Sequence, residues 1–377
     1  MRPGLLASLA CVALAACGSG PTPTTTAAPT QTVGAQPATP GPATPGPATP
    51  TVGPIISGSP QPTDSATPPD ATKWTKLAVA AGPSAREDHT WTVIGDQAYL
   101  FGGRTADGPA NDLWAFNLTT DEWHELRPSG PAPEPRFGHT ATAVPGVGLV
   151  VWSGQGSSQF FDDIWTYDPG VDAWHELPSL GAVPEARYGS CASLGPHVRL
   201  WISHGFTQDD GRFDDTRAYD FVTGEWTDET PSGDRPVKRC LHDCFWAPNN
   251  TLVLYGGQTT GVPALDDIWT YDPASSSWTE GPEQIAAPRQ LYALGVAPNG
   301  AAFAFGGRDI DGAYLADTWT INSSVPRLDP IEPGDSPTAR LGAAMIVDLD
   351  RALLFGGQDD DGLLSDMWSF VGRRAGV

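Results

Sequence analysis

The sequence predicts an all-β fold, a six-bladed β-propeller, from a repeat with a period near fifty residues and from four short strand-like runs within each repeat. The second residue of a Gly-Gly or degenerate x-Gly pair falls at Gly103, Gly154, Gly205, Gly257, Gly307 and Gly357, in steps of 51, 51, 52, 50 and 50. An arginine precedes each pair, at Arg86, Arg136, Arg187, Arg239, Arg289 and Arg340, in steps of 50, 51, 52, 50 and 51. A third series follows each pair: Asp112-Leu113-Trp114, Asp163-Ile164-Trp165, Asp215-Thr216-Arg217, Asp267-Ile268-Trp269, Asp317-Thr318-Trp319 and Asp366-Met367-Trp368. Composition bias does not keep three markers in phase.

In the first unit, Asp88 to Val93 and Gln97 to Phe101 are β-branched and aromatic runs separated by Gly95-Asp96. Leu113 to Asn117 and Glu122 to Leu126 are separated by Thr119-Thr120-Asp121. Alternating apolar character bounded by turn residues reads as strands. Fourth-strand tryptophans stand at Trp123, Trp174, Trp226 and Trp278, each nine residues after the third-strand position. With the glycine doublet after the second strand and the aromatic in the third, residues 72 to 377 resemble the kelch-repeat family. The resemblance implies a propeller and, by itself, no particular activity.

The last two units test this reading. Nine residues after Trp319 comes Leu328, and nine after Trp368 comes Val377, so unit six lacks its own fourth strand. Lys73 to Leu77 supplies it: Trp74 precedes Arg86 by 12 residues, close to the 13 from Trp123 to Arg136. The N-terminal strand is therefore expected to close the ring and remove its open edges.

Residues 1 to 16 read as a signal peptide, with Arg2 ahead of an apolar run from Leu5 to Ala16 that is short for a membrane span. Leu14-Ala15-Ala16-Cys17 resembles the lipobox of bacterial lipoproteins, which implies a lipid on Cys17; ordinary secretion is the alternative. Residues 17 to 71 continue as a Pro, Thr and Ala tether with almost no bulky apolar residues, so it is expected to be disordered and to hold a head at residues 72 to 377 away from the membrane. These segments predict an extracytoplasmic, lipid-anchored protein at the cell surface or in the periplasm.

Against 44 acidic residues stand 21 Lys and Arg, a formal charge of −23, which disfavours nucleic acid and leaves the lipid as the membrane contact. The propeller keeps Cys191, Cys240 and Cys244. Cys240 and Cys244 are about 13 Å apart along an extended strand at ~3.3 Å per residue, too far to bridge. Cys191 and Cys244 stand on neighbouring blades at positions of opposite parity, one residue out of step, and are the favoured pair if a disulfide forms, with three buried free thiols as the alternative. Cys240, His242 and Cys244 could share one strand face as zinc ligands, but His242 also occupies the repeat position of His89 and His139, a core position. The Asp-rich turns at 209–211, 309–312 and 359–362 resemble part of a calcium loop without its later ligands, and Asp-Gly turns need no metal. Metal binding is left open, and no cofactor is expected.

Loop alternation puts Arg86, Arg136, Arg187, Arg239, Arg289 and Arg340 at one face, the face that peptide-binding kelch domains use. Two roles are open to them: binding a carboxylate-bearing protein, peptide or glycan, or pairing with the third-series aspartates to staple loops. Binding requires at least one arginine without a partner, with Arg187 and Arg239 the first candidates. His204 replaces a doublet glycine and Arg217 a third-strand tryptophan, so both join the candidate ligand set. The expected function is a monomeric binding module. The alternative is a carbohydrate-active enzyme similar to sialic acid mutarotase or, less well matched, to copper radical oxidases, since kelch-like propellers include both.

Overall fold

The computed structural model describes residues 73–79, 81–208, 211–322, 326–332, 334–348 and 351–371. The segments expected to be a signal peptide and a tether, with Cys17, lie outside them. The described residues form a ring of six antiparallel blades, with Leu180–Gly181 added in parallel at the outer edge of blade three and a separate two-stranded hairpin, Gln358–Asp359 with Gly362–Leu363, in blade six. The inner strands are Thr90–Ile94, Thr140–Val144, Cys191–Gly195, Asp243–Trp246, Ala293–Val296 and Ala344–Asp348. Each is followed outward by its second, third and fourth strands. In blade one the second and third strands, Gln97–Thr105 and Gly108–Asn117, run on past the predicted ends to a tight hairpin. The predicted first strand instead starts late, because Asp88 takes a left-handed φ of 53° that no strand continues through.

Blade six is completed from the other end of the chain. Lys73–Leu77 pairs antiparallel with Met367–Val371, Trp74 opposite Phe370. Trp74 is 1% exposed and its indole N–H donates to Thr318 Oγ1 of blade five at 3.0 Å.

The hydrophobic core consists of six clusters, each lying between two consecutive blades. Trp91, Leu100, Phe116 and Trp123 of blade one, for instance, pack on Ile346, Leu353, Phe355 and Met367 of blade six. The fourth-strand tryptophans fill these seams. Leu328 does so in blade five, where the buried Gln284 side chain reaches over to accept the Leu328 N–H at 2.9 Å. Burying each seam ties its two blades together, so the ring stands or falls as one core.

Candidate functional site

The repeat arginines mark the start of each blade at one face, and all six are at most 1% exposed. In blade one, Arg86 Nη1 and Nη2 donate to the two carboxylate oxygens of Asp112 at 2.7 and 2.8 Å. Nη1 also donates to the Gly102 carbonyl at 2.9 Å and Nε to the Ser84 carbonyl at 3.0 Å. The same arrangement recurs at Arg136 with Asp163, Arg187 with Asp215, Arg239 with Asp267, Arg289 with Asp317 and Arg340 with Asp366. No arginine of the series is left for a ligand, Arg187 and Arg239 included, so the proposed anion-binding ring gives way to six staples. The reason is geometric, since a buried guanidinium needs its donors satisfied and a bidentate carboxylate satisfies two at once.

The backbone explains the phase between arginine and glycine doublet. The N–H of each doublet's second glycine donates to the carbonyl of the next blade's arginine: Gly103 to Arg136 at 2.9 Å, and around the ring to Gly357 to Arg86 at 2.8 Å. Each arginine thus bonds the preceding blade through its main chain and its own blade through its side chain. The second glycine is held at φ near 100° in Gly103, where a Cβ would stand 2.7 Å from His89 Cβ. Burial pushes the Asp215 carboxyl up, but hydrogen bonds and charge from Arg187, with Arg217, outweigh burial and hold it below the ordinary aspartate value. The same balance holds Asp112, Asp267, Asp317 and Asp366 down.

The two divergent residues of blade three serve packing. Arg217 Nε donates to Asp215 Oδ2 at 3.1 Å, replacing the indole N–H that Trp114, Trp165, Trp269, Trp319 and Trp368 donate to their own blade's aspartate at 2.7–2.8 Å. His204 is fully buried, with its ring between Ser203 Oγ at 2.5 Å and the Pro236 carbonyl at 3.3 Å, and lies against His242 of blade four. The clue to Arg217 was the spacing Asp-x-Trp, whose second member must be a hydrogen-bond donor as well as an aromatic.

Cys191 and Cys244 are joined in a disulfide between the inner strands of blades three and four, with Cα atoms 5.6 Å apart. Cys240 is the free cysteine among the described residues and is buried. With Cys244 in that bond, the suggested Cys, His and Cys metal set does not assemble. Residues 209 and 210 of the first acidic turn lie outside the described residues; in the other two the carboxylates are used internally, Asp309 Oδ1 accepting the N–H groups of Asp311 and Ala313 at 3.0 and 2.8 Å and Asp359 Oδ1 those of Asp361 and Gly362 at 3.0 and 3.2 Å.

The axis holds a feature the sequence did not announce. Two residues after each arginine stand Asp88, Gly138, Gly189, Leu241, Leu291 and Gly342, all left-handed with φ between 53° and 63°. Each donates its N–H to the carbonyl of the same position one blade back, at 2.7–3.1 Å, and Asp88 closes the circuit on Gly342 at 2.8 Å. A closed ring of six hydrogen bonds therefore surrounds the axis. Beside it is a cavity of about 110 Å³ lined by Asp88, His89, Ser190, His242, Asp243, Tyr292 and neighbouring glycine and leucine positions.

The cavity is electrically unusual. Burial pushes Asp88 up to about 8, with Glu87 adding to the rise while Arg104 and Tyr188 oppose it. Asp243 is pushed up to about 7 by burial. Glu87, 1% exposed, is raised by burial against its ion pair with Arg104. Burial, with the charges of Arg86 and His139, holds His89 well below the ordinary histidine value, and burial with Arg136 takes His139 down to about 3. His139 is therefore neutral at physiological pH, and Asp88 and Asp243 titrate close to it.

Residues 65–202 and 247–373 match the family described as the KLHDC2/KLHL20/DRC7 Kelch-repeats domain. The chain is similar to tip elongation aberrant protein 1 of Schizosaccharomyces pombe, 29% identical over 233 residues, 58% of this chain and 20% of that protein. It is similar to N-(sulfonatooxy)prop-2-enimidothioate sulfolyase of Thlaspi arvense, 28% identical over 229 residues, 55% of this chain and 66% of that protein. Kelch domain-containing protein 3 of Homo sapiens is 28% identical over 228 residues, 55% of this chain and 59% of that protein. In each case the aligned stretch spans less than two thirds of the relative. The arginine staples, the glycine doublets and the match across both halves of the propeller together make this chain a member of the kelch-repeat family.

Proposed function

We propose that this protein is a lipid-anchored, extracytoplasmic binding module whose working surface is the loop face above the arginine staples. The carrying observation is the distribution of exposed apolar side chains on connections whose bases are clamped. Val237 and Val262 of blade four and Ile285 and Ile310 of blade five are 53%, 36%, 73% and 47% exposed, in the loop entering each blade and in its central hairpin. They lie on adjacent blades of the same face. The same loops carry Asp234, Glu283, Asp309 and Asp311, so the surface suits a protein partner that presents apolar and basic side chains together. Membership of the kelch-repeat family supports an interaction role.

The cavities argue against an enclosed substrate. The axial one, about 110 Å³, is well below the roughly 300–1,000 Å³ of sites that surround a small molecule. A depression of about 480 Å³ on the opposite face, between blades one and two, has Asp168 as its one titratable side chain and so lacks an acid and base pair.

Two measurements test the reading. Cys17→Ser should move the protein from the membrane fraction to the soluble one, because two or more acyl chains are needed for stable retention; unchanged fractionation refutes the anchor. Ile285→Glu with Ile310→Glu should abolish association with envelope protein while the same change at Val222, on the opposite face, should not. Equal loss at both faces refutes the assignment of the surface.

A further inference from the structure

We infer that Arg308, on the loop face of blade five, anchors a carboxylate-binding subsite, with Gln290 and Tyr314 beside it. Arg308 is not one of the repeat arginines. The chemistry is read from blade five alone, and only a partner protein as the source of the carboxylate rests on the reading of the loop face.

The residue after each repeat arginine faces, across the strands, the residue after the same blade's glycine doublet: Glu87 with Arg104, Phe137 with Gln155, Tyr188 with Phe206, Cys240 with Gln258, Gln290 with Arg308 and Leu341 with Gln358. Directly opposed side chains leave a sheet on the same side with Cβ atoms about 5 Å apart, so the members of each pair reach one another. Blades one and five carry the arginine in this second place. In blade one the facing residue is Glu87, and Arg104 donates to its carboxylate. In blade five the facing residue is Gln290, which brings no charge, and Arg308 makes no ion pair among the described residues.

Arg308 is held as the staple arginines are, with half of the arrangement left open. In each staple Nε donates to a backbone carbonyl while Nη1 and Nη2 take a carboxylate, as Arg289 does with the Ala287 carbonyl at 3.2 Å and both oxygens of Asp317 at 2.8 Å. Arg308 Nε donates to the Gly312 carbonyl at 3.1 Å, and its Nη1 and Nη2 have no partner among the described residues. A guanidinium oriented in this way presents two parallel donors, the fork that a carboxylate fills.

Both cross-strand neighbours add donors to the same row. Gln290 is 6% exposed, and its side-chain amide makes no hydrogen bond among the described residues. An amide buried in that way costs free energy that a ligand acceptor returns. Tyr314 faces Arg308 from the other strand, half-buried, with its hydroxyl likewise unpaired among the described residues. The adjacent acid does not compete for Arg308, because Asp309 Oδ1 is engaged by the N–H groups of Asp311 and Ala313. One carboxylate completes the row, whether from a small free acid or from an Asp or Glu side chain of a partner.

Saturation-transfer NMR on the purified full-length protein at pH 7.5 with sodium acetate tests the subsite, with sodium phosphate and methylammonium chloride as controls. Saturable binding of acetate is expected, at least tenfold weaker in Arg308→Gln and in Gln290→Glu. The second variant sets blade one's glutamate opposite Arg308 and fills the site from within, so its melting temperature should equal or exceed that of the wild type. Nα-acetyl-glutamate amide distinguishes the sources: binding at least as strong as acetate assigns a partner's side chain, and weaker binding assigns a small free acid. No saturable binding of acetate, equal binding of phosphate or methylammonium, or unaltered affinity in either variant overturns the inference. Acetate needs no partner, so failure of the loop-face reading in the Ile285 and Ile310 variants leaves this result standing.

Discussion

Arg217 donates to Asp215 where the other five blades place a tryptophan indole on the equivalent aspartate. A planar side chain with an N–H directed at the carboxylate is what the position requires, and both residue types meet it. Arg217 also pairs with Asp228 at 3.2 Å. Replacing Arg217 with Trp should therefore change stability by less than about 1 kcal/mol, whereas Arg217→Ala should cost about 1–3 kcal/mol by leaving an acceptor short of a donor. Urea unfolding of the two variants checks this.

The staples themselves should be far less tolerant. Arg239 is fully buried, and removing it strands Asp267 in the same site, so Arg239→Ala should cost about 3–5 kcal/mol. Arg239→Lys should recover little, because an ammonium cannot make the bidentate contact and reach the Gly256 carbonyl as well. Denaturation midpoints for the three proteins report the order directly.

Stability should pass through a maximum near pH 6 to 7. His89, His139, His204 and His242 are held below the ordinary histidine value by burial, so the unfolded chain binds protons that the native chain refuses as pH falls below about 6.5. Stability then declines toward acid. Asp88, Asp243 and Glu87 act oppositely: with raised native pKa values they keep protons the unfolded chain has released, which offsets part of the acid decline. Their contribution is lost as pH rises through about 7 for Asp243 and about 8 for Asp88. Each net proton is worth about 1.4 kcal/mol per pH unit. The groups around Asp88 are Glu87, Arg104 and Tyr188, and Tyr292 and His242 lie by Asp243. The double variant Asp88→Asn with Asp243→Asn should flatten the alkaline limb and steepen the acid one in thermal melts taken from pH 4.5 to 9.

The Cys191 to Cys244 bond closes a loop of 53 residues between two blades, and its loss should cost about 4 kcal/mol by the chain-entropy estimate. Cys191→Ser with Cys244→Ser should lower the melting temperature accordingly. Reduction of the wild type should reproduce the effect, and neither should alter the β-sheet content read by circular dichroism.

Much of the fold was legible because blade packing repeats in sequence. The ring closure followed from counting: Trp74 stands where a fourth-strand tryptophan belongs, and blade six had none. The sequence favoured Cys191 with Cys244 as the pair on neighbouring strands but left three free thiols open, since the near-contact of the two strands is a tertiary fact. The site was less legible. Whether Arg187 is a ligand or a staple depends on Asp215, 28 residues away in sequence and in direct contact in space, and the sequence offered both readings. The hydrogen-bond ring was invisible because its six members include Asp88, Leu241 and Leu291 beside three glycines, sharing a left-handed backbone and no side-chain type. A conformation that aspartate and leucine adopt only when the surroundings impose it leaves no signature in composition.

The claim that the loop face is the working surface is tested most directly by a photo-crosslinking amino acid placed at Ile285, at Ile310 and, on the opposite face, at Val222, with irradiation in the producing cells. The account predicts a discrete adduct of one mass from positions 285 and 310 and none from 222. Adducts confined to position 222, or the same adducts from both faces, would contradict it.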